Sequence, residues 1–375
     1  MKVIISILVF ILGIFTATSQ ISSIKEEFAL PASLSESSGV IYFNDKLITH
    51  NDSGGNNELY EVDLVTGLVT RTVTISNATN TDWEDLTQDA THIYIGDIGN
   101  NFSGNRTDLK IYKISKSDYL NADNVTAETI SFNYSDQTDF TALSPNTTEW
   151  DAEALVSFDG NNLMIFTKNW VNGTTKAYLI PKTSGTHSLT PLSTNLNSGG
   201  LISGGTYNVS TGKLYLVGYT NLLQPFVWVS ESFTGDDIFS GTNTQTSLSG
   251  FLGFEQAEAI TYINANSYLI TSEAFTQNPF SDYAKLVSFS TNDMALSAAT
   301  HRKESDIILY PNPVSDVLQI NTERLNSVEI FDTKLTQLYR GFSKNIDMSF
   351  FSGGVYIVRV NLNDSSYIVK KVIKK

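Results

Sequence analysis

Carboxylate side chains stand directly before short apolar runs at several places in this chain. Asp151 and Glu153 precede the run "ALVSF", and Glu258 has the same place in "QAEAITYIN". A buried carboxylate loses its hydration, and this loss must be offset by hydrogen bonds, by a cation or by protonation. Carboxylate oxygens are also the ligands that calcium prefers, and a carboxylate can act as a general base. These residues are therefore the first candidates for chemistry.

The candidates belong to an internal repeat. Five units each start with an acidic or small-residue segment that leads into a short strand, at a spacing of about 45 to 70 residues. The starting segments are "SESSGVIYF", "DWEDLTQD", "DAEALVSFD", "ISGGTYNVS" and "QAEAITYIN". Two or three further strands rich in Tyr, Val, Ile and Phe follow in each unit, separated by Gly, Asn, Asp and Ser. This pattern is typical of β-propeller blades.

The repeat predicts an all-β, five-bladed β-propeller, or a six-bladed one if a loop region contains a degenerate blade. The fifth unit lacks an outer strand, whereas "ISSIKEEFAL" near the N-terminus is a strand without a blade. We expect these two ends of the body to pair, because the pairing closes the ring and removes both open sheet edges.

The strand order of a propeller brings the start of each first strand and the end of each second strand to one face, at the mouth of the central channel. The first-strand candidates are Glu36, Glu84, Glu153 and Glu258, with Asp82, Asp85 and Asp151 beside them. The second-strand candidates are Asp52, Asp97, Lys168 and Glu273. The fourth unit instead offers Ser203, Gly204, Gly205, Tyr219 and Thr220.

Three hypotheses explain such an acidic mouth. In the first, the glutamates accept hydrogen bonds from backbone N–H groups of the next blade, with Lys168 as an internal counter-ion. In the second, the carboxylates bind a divalent cation, for which Ca²⁺ fits best since it takes six to eight oxygen ligands and needs no His or Cys. In the third, a metal-bound water or a carboxylate acts in catalysis and His50 assists.

Composition excludes several other classes of site. The chain has no cysteine, and its four histidines form no close pair of the kind that zinc hydrolases use. The formal net charge is -15, and the acidic excess lies in the propeller region. Such a surface repels nucleic acids and anionic membranes, so we expect neither as a partner.

The composition also predicts the domain boundaries. Residues 1–19 have the basic start, apolar run and small residues of a signal peptide, and residues 20–297 contain the propeller. A polar linker at 298–305 leads to residues 306–375, where alternating apolar and polar residues predict a small β-sandwich. After cleavage of the signal peptide, we expect no membrane-spanning segment.

The body resembles a family of bacterial secreted β-propeller proteins of loosely defined function. The residues that carry the resemblance are, in order, "ESSG", "THNDSG", "DWEDL", "YIGDIGNN", "DAEAL" and "QAEAI". The resemblance implies a propeller with an acidic channel mouth. More distant propellers include esterase-like and phytase-like proteins that use calcium, but this chain lacks the Lys/Arg cluster with which a phytase would hold phosphate.

The tail resembles the C-terminal sorting domain of type IX secretion cargo. "YPNPVSDVLQI", "GGVYIVRV" and the terminal "KKVIKK" carry this resemblance, and its motif residues are Pro311, Asn312, Pro313, Gly354 and Tyr356. It implies that the type IX machinery is a partner, and that the protein crosses the outer membrane and is released or attached at the cell surface.

The sequence therefore predicts an exported propeller that binds a divalent cation, a small ligand or both at an acidic rim. Two alternatives stay open: a calcium-assisted hydrolase of phosphoesters or esters, and a structural or interaction scaffold. The ligand is not predicted, and no catalytic residue is assigned.

Overall fold

A computed structural model describes residues 21–293, 307–322, 325–334, 336–362 and 367–375, without the side chain of Tyr367. The chain divides into two compact units, Met1–Leu296 and Ser297–Lys375. The predicted signal peptide at 1–19 and the linker at 298–305 lie outside the described residues, and the domain boundaries stay predictions. Each unit is described by itself.

The first unit consists almost entirely of short strands, and its first two repeats occupy residues 21–134. The chain begins with β1 (Ile21–Ala29) and a 3₁₀ turn (Ala32–Leu34). The first repeat contains β2 (Ser37–Phe43), β3 (Lys46–Asn51), β4 (Glu58–Asp63) and β5 (Val69–Ile75). The second contains β6 (Trp83–Gln88), β7 (His92–Asp97), β8 (Lys110–Ser115), α1 (Lys116–Asn121), β9 (Asn124–Val125) and β10 (Glu128–Tyr134).

The other three repeats follow the same plan. The third contains β11 (Ala152–Ser157), β12 (Asn162–Thr167), β13 (Thr174–Thr175), β14 (Ala177–Pro181), β15 (Gly185–Leu189) and β16 (Leu196–Asn197). The fourth contains β17 (Leu201–Asn208), β18 (Lys213–Tyr219), β19 (Pro225–Glu231), β20 (Thr242–Ser247) and α2 (Ser249–Leu252). The fifth contains β21 (Gln256–Tyr262), β22 (Ser267–Glu273), β23 (Phe275–Gln277), β24 (Phe280–Asp282) and β25 (Lys285–Thr291).

The main sheets of this unit form a ring. Their innermost strands contact one another in cyclic order, from β2 to β6, β11, β17, β21 and back to β2. Strand β1 pairs antiparallel with β25, from Ile21 opposite Thr291 to Ala29 opposite Lys285. The predicted all-β propeller is confirmed, and the N-terminal strand closes the ring as expected.

The outer edges of two sheets differ from the simple repeat. Strand β9, from the second repeat, pairs parallel with β5 of the first, and β15, from the third repeat, pairs parallel with β10 of the second. The sheet of the third repeat therefore contains only β11, β12 and β14. Each exchanged strand covers the edge of the preceding sheet, so these outer edges are paired.

Apolar clusters fill the spaces between neighbouring sheets. Trp83 and Ile48 belong to one cluster, formed between the first and second sheets, and Leu155 and Tyr94 to the next. Three further clusters occupy the remaining interfaces of the ring. Both faces of each sheet are therefore covered, which explains why the second strand of each repeat is buried along nearly its whole length.

The second unit consists of two antiparallel sheets that share one apolar core. Its strands are β26 (Ile308–Tyr310), β27 (Val317–Asn321), β28 (Leu325–Phe331), β29 (Gln337–Gly341), β30 (Asn345–Asp347), β31 (Gly354–Leu362) and β32 (Tyr367–Lys374). One sheet has the order β26-β27-β30 and the other β29-β28-β31-β32. Leu318 and Ile346 of the first sheet and Val328 and Val358 of the second belong to the shared core.

Candidate functional site

A β-bulge lies near the start of every innermost strand of the ring. The pairing with the second strand shifts there in all five sheets. A bulge leaves a residue outside the ladder and redirects its side chain. The equivalent bulged residues are Ser38, Glu84, Glu153, Ser203 and Glu258.

The register also defines which residues are equivalent at the end of the second strands. The residue before each bulge pairs with Asn51, Asp97, Thr167, Gly218 or Ser272. The next residue of each second strand is therefore Asp52, Ile98, Lys168, Tyr219 or Glu273. These positions place four polar side chains and one apolar side chain beside the bulged residues.

The structure does not bring two of the predicted site residues into this arrangement. Glu36 lies two residues before the bulged Ser38 and is exposed to solvent. Asp97 lies one residue before the equivalent position and binds the side chains of Arg106 at 2.8 Å and Lys110 at 3.4 Å. Asp97 is thus neutralised by its own blade.

The remaining carboxylates form two groups that share Glu84. Oxygen atoms of Asp52, Asp82 and Glu84 lie within 4.8 Å of one another, and so do oxygen atoms of Glu84, Asp151 and Glu153. We call these the outer triad and the inner triad. Their residues are buried apart from Asp52, which is half-buried. The sequence repeat had placed them at one mouth, and the structure brings their oxygens within the distance that one ion spans.

Backbone approaches the outer triad very closely at Gly99. A Cβ atom at this position would lie 2.0 Å from Glu84 Oε1 and 2.4 Å from Asp82 Oδ2. Any larger residue here would displace the two carboxylates from their present positions. Gly99 is the second glycine of the motif "GDIGNN". The sequence alone did not show which glycine of this motif lies against the carboxylates.

Burial and mutual repulsion raise the pKa values of the carboxyl groups in this cluster. Burial and the charge of Asp82 raise the pKa of Asp52 to about 7. Burial and the charge of Asp151 raise the pKa of Asp82 to about 7. Burial, reinforced by Asp52, raises the pKa of Glu84 well above its usual value. Each of these carboxylates therefore resists ionisation unless a cation is close.

The fifth sheet adds two more carboxylates to the mouth. Burial and the charge of Glu258 raise the pKa of Glu273 well above its usual value. Glu258 is 2% exposed, and its Oε1 atom accepts no hydrogen bond from the described residues. Seven carboxylates thus surround the mouth: Asp52, Asp82, Glu84, Asp151, Glu153, Glu258 and Glu273.

Lys168 is the cation that the structure places inside this cluster. Its Nζ atom donates a hydrogen bond to Glu153 Oε2 and lies 3.2 Å from Tyr219 Oη. The ammonium group also lies 5.1 Å from the ring centre of Trp170 and 5.2 Å from that of Tyr219. One lysine cannot neutralise seven carboxylates, so the mouth keeps a large excess of negative charge or of bound protons.

Two carboxylates are held by neutral hydrogen-bond donors. Asp151 accepts hydrogen bonds from the Asn100 N–H at 2.6 Å and from Trp170 Nε1–H at 2.7 Å. Asp85 accepts from the N–H groups of Leu86 at 2.8 Å, Leu155 at 2.9 Å and Gly205 at 3.2 Å. Asp85 therefore connects the innermost strands of three blades. The sequence had placed it only beside the glutamates.

Glu84 differs from Asp151 and Asp85 in its hydrogen bonding. Within the described part of the chain its Oε1 atom has no hydrogen-bond partner, although the residue is only 2% exposed. A buried charged oxygen without a donor is rare in folded proteins, and such an atom calls for an unseen water or ion. This observation makes the outer triad a candidate cation site.

His50 lies apart from the triads. Its Nδ1 atom is 2.8 Å from the Asn51 carbonyl oxygen, and its ring meets Trp83 edge-on at 5.5 Å. Burial lowers the pKa of His50 to about 4, so the ring is neutral. His50, Asn51 and Trp83 therefore form part of the packing between the first two blades.

The motif residues of the second unit hold its C-terminal strand. Asn312 donates through Nδ2 to the Lys371 carbonyl at 2.8 Å and accepts from the Ile373 N–H at 2.9 Å. Pro311 and Pro313 flank this residue, Gly354 pairs with Lys374, and Tyr356 donates to the Ser352 carbonyl at 2.8 Å. The motif thus fixes the end of the chain to the sandwich.

Comparison with known families decides what this unit is. Residues 308–375 match the family model described as "Secretion system C-terminal sorting domain". This unit is a type IX sorting domain. The prediction from the tail motif is confirmed, and the sorting domain directs the protein to the cell surface or the extracellular space. In the described residues, no helix is both long and apolar enough to span a membrane.

The chain is similar to several solved structures at low sequence identity. PorZ, a surface component of the type IX secretion system of Porphyromonas gingivalis, shares 12% identity at a TM-score of 0.33; the alignment covers 90% of this chain but only 45% of PorZ. Hydrazine synthase of Kuenenia stuttgartiensis shares 12% identity at a TM-score of 0.34, with 97% and 99% covered. The β-propeller domain of Myceliophteria thermophila Cps50 (Swd1) shares 10% identity at a TM-score of 0.35, with 72% and 100% covered. No curated protein matches by sequence.

Proposed function

We propose that this protein is a secreted β-propeller that binds one divalent cation, with Ca²⁺ the best fit, in the outer triad of Asp52, Asp82 and Glu84. The observation that carries the proposal is the buried Glu84 side chain: its Oε1 atom has no hydrogen-bond partner in the described residues, and one of its oxygens lies within 4.8 Å of oxygens from two other carboxylates. A cation supplies the missing partner and offsets the repulsion among the three side chains.

The donor set favours a hard cation. All three residues offer carboxylate oxygens, and neither triad contains a histidine. Oxygen-only sites suit Ca²⁺ and Mg²⁺, and Ca²⁺ tolerates irregular geometry and completes its shell with carbonyl oxygens and water. The half-buried Asp52 leaves the ion a side from which water or a small ligand can approach.

The hydrolase alternative lacks a specific supporting contact. His50, the side chain that the sequence offered as an assisting base, lies at 2.8 Å from the Asn51 carbonyl and packs against Trp83. A scaffold without a bound ion is the simpler competitor. It predicts that Glu84 carries a proton instead of a cation.

Calorimetric titration of the purified mature protein with CaCl₂, after removal of ions by a chelator, tests the proposal. We expect one bound ion, and a loss of affinity of at least about tenfold in Glu84→Gln, since removing a charged ligand weakens a calcium site. Glu36→Gln is the matched control, because Glu36 is an exposed carboxylate near the mouth that the structure keeps out of the triads. Absence of binding for Ca²⁺, Mg²⁺ and Mn²⁺, or unchanged affinity in Glu84→Gln, contradicts the proposal.

Export is tested separately from ion binding. Deletion of residues 306–375 removes the sorting domain, so we expect the propeller to stay in the periplasm. Immunoblots of periplasmic, surface and medium fractions measure this, with the intact chain as control. Undiminished surface delivery of the truncated chain contradicts the assignment of the tail as the export signal.

A further inference from the structure

The two triads share Glu84 but differ in the cations available to them. Neither Asp52 nor Asp82 forms an ion pair within 4.0 Å in the described residues, whereas Glu153 of the inner triad binds the Lys168 ammonium group directly. The mouth therefore contains two adjoining positions where a positive charge is needed, and the protein itself provides the charge for one of them.

The ammonium group of Lys168 is held firmly in its position. The residue is 5% exposed, and its Nζ atom contacts Glu153 Oε2 and the Tyr219 hydroxyl. The rings of Trp170 and Tyr219 line the same group from 5.1 and 5.2 Å, which favours a cation over a neutral group. Lys168 acts here as a built-in monovalent ion.

A divalent ion cannot share the inner triad with this lysine at low cost. An ion ligated by Glu153 would lie close to the ammonium group, and water is largely excluded from both because the surrounding side chains are buried. Repulsion between like charges is strong where water does not screen it. The charge of Lys168 thus neutralises Glu153 and also disfavours a second ion beside it.

The backbone and neighbouring side chains position much of the inner triad independently of the lysine. Asp151 is oriented by the Asn100 N–H and by Trp170 Nε1–H, and neither bond involves Lys168. Glu84 and Glu153 lie in the β-bulges of their strands, and a bulge redirects the side chain that it carries. The three carboxylates therefore have the oxygen donors of a second cation position.

We propose that Lys168 restricts the mouth to a single divalent cation, and that a neutral side chain at this position opens a second cation site at Glu84, Asp151 and Glu153. The inference rests on the proposed function of the outer triad. Glu84 then bridges the two ions, as one carboxylate often does in two-metal sites with ions about 3.5–4 Å apart.

Titration of the full mature protein with Mn²⁺, followed by calorimetry and electron paramagnetic resonance, tests this inference. We expect one ion and an isolated-Mn²⁺ spectrum in the wild type. Lys168→Gln should bind two ions and show the spin coupling of a bridged pair. Lys168→Arg keeps the charge and should bind one. Lys110→Gln is the matched control, since Lys110 pairs with Asp97 outside the triads, and it should also bind one.

The outcomes separate the two proposals. A wild type that binds no Mn²⁺ and no Ca²⁺ overturns the proposed function. A wild type that binds one ion while Lys168→Gln also binds one overturns the role of Lys168 alone, and so does a coupled pair in the wild type. If circular dichroism shows that Lys168→Gln is unfolded, Lys168→Met is tested in its place. Adding Glu84→Gln to the two-ion variant should abolish the coupling.

Discussion

Glu84 and Asp85 are consecutive residues of the same bulge, yet their surroundings are opposite. Asp85 is fully buried and accepts three backbone N–H bonds, two of them from other blades. Glu84 is almost as buried, but its Oε1 atom lies among carboxylates and has no donor in the described residues. The comparison teaches that a carboxylate compensated by backbone N–H groups and a buried carboxylate oxygen without a donor coexist in this mouth, on neighbouring side chains.

The contrast also separates structural carboxylates from functional ones. A carboxylate that accepts backbone N–H bonds from three blades stabilises the ring whether or not a ligand is bound. A carboxylate without donors makes the folded state less stable, and ligand binding can offset that loss. Asp85 therefore belongs to the framework of the ring, whereas Glu84 is the residue that we propose to bind the cation.

Removal of Asp85 should have the largest effect on stability. Asp85→Ala leaves buried N–H groups of three blades without an acceptor, and we expect the free energy of unfolding to fall by about 3 kcal/mol. Urea denaturation in the presence of a chelator measures this free energy in the wild type and in Asp85→Ala. Glu84→Gln under the same conditions should not lower stability, because it removes an uncompensated buried charge. A larger loss in Glu84→Gln than in Asp85→Ala would reverse the comparison.

The paired carboxylate Asp97 extends the contrast to a neighbouring position. Arg106→Gln removes the 2.8 Å ion pair but leaves Lys110 at 3.4 Å, so we expect a loss of about 2 kcal/mol, less than for a buried charge left wholly unpaired. Urea denaturation in the presence of a chelator measures this loss. An unchanged free energy of unfolding would show that Arg106 does not stabilise the buried Asp97 carboxylate.

The pH dependence gives a smaller effect with a defined sign. The pKa values of Asp52 and Asp82 are raised to about 7, above the ordinary value of 3.8. The folded state therefore binds more protons than the unfolded state between these values, and stability falls as the pH rises from about 4 to about 7. We expect the chelated protein to melt at a lower temperature at pH 8 than at pH 5.

Calcium should cancel this loss. It binds the ionised carboxylates, so the increase in melting temperature on adding CaCl₂ should be larger at pH 8 than at pH 5. Differential scanning calorimetry at the two pH values, with and without the ion, measures both effects. An increase of equal size at both pH values would place the ion outside this pair of carboxylates.

The smallest effect is expected at Glu36. This residue is exposed and has no place in the triads, so Glu36→Gln should change the free energy of unfolding by less than about 0.5 kcal/mol. Calcium affinity should stay within experimental error of the wild type. A clear loss of affinity would restore Glu36 to the site that the sequence had suggested.

Much of the fold could be predicted from the sequence, because propeller strands are short, local and repeated. The alternation of apolar residues and turn residues marked the strands, and the unmatched N-terminal strand predicted the closure between β1 and β25. The tail motif was specific enough to predict the sorting domain. The exchange of β9 and β15 between sheets was not predicted, since a parallel edge pairing leaves no short-range signal.

The site was harder to predict, because a bulge changes the register by one residue. Such a shift moves a side chain from one face of the strand to the other. The sequence repeat aligned Glu36 with Glu84 because both are acidic residues shortly before an apolar run, whereas the strand pairing makes Ser38 the equivalent of Glu84. It likewise grouped Asp97 with Asp52, although Ile98 is equivalent in the structure. The separate roles of Glu84 and Asp85 depend on donors from distant blades, which no local pattern shows.

The pairing of β1 with β25, which closes the ring, has a consequence for the order in which the propeller folds. Ile21 and Thr291 lie opposite each other, so the first strand of the body has to wait for the last one to be made. Until then the fifth sheet has an open edge, and the entropy of closing so long a segment is still to be lost. We therefore expect the pairing of β1 with β25 to form last, and to separate first when the ring is pulled or heated.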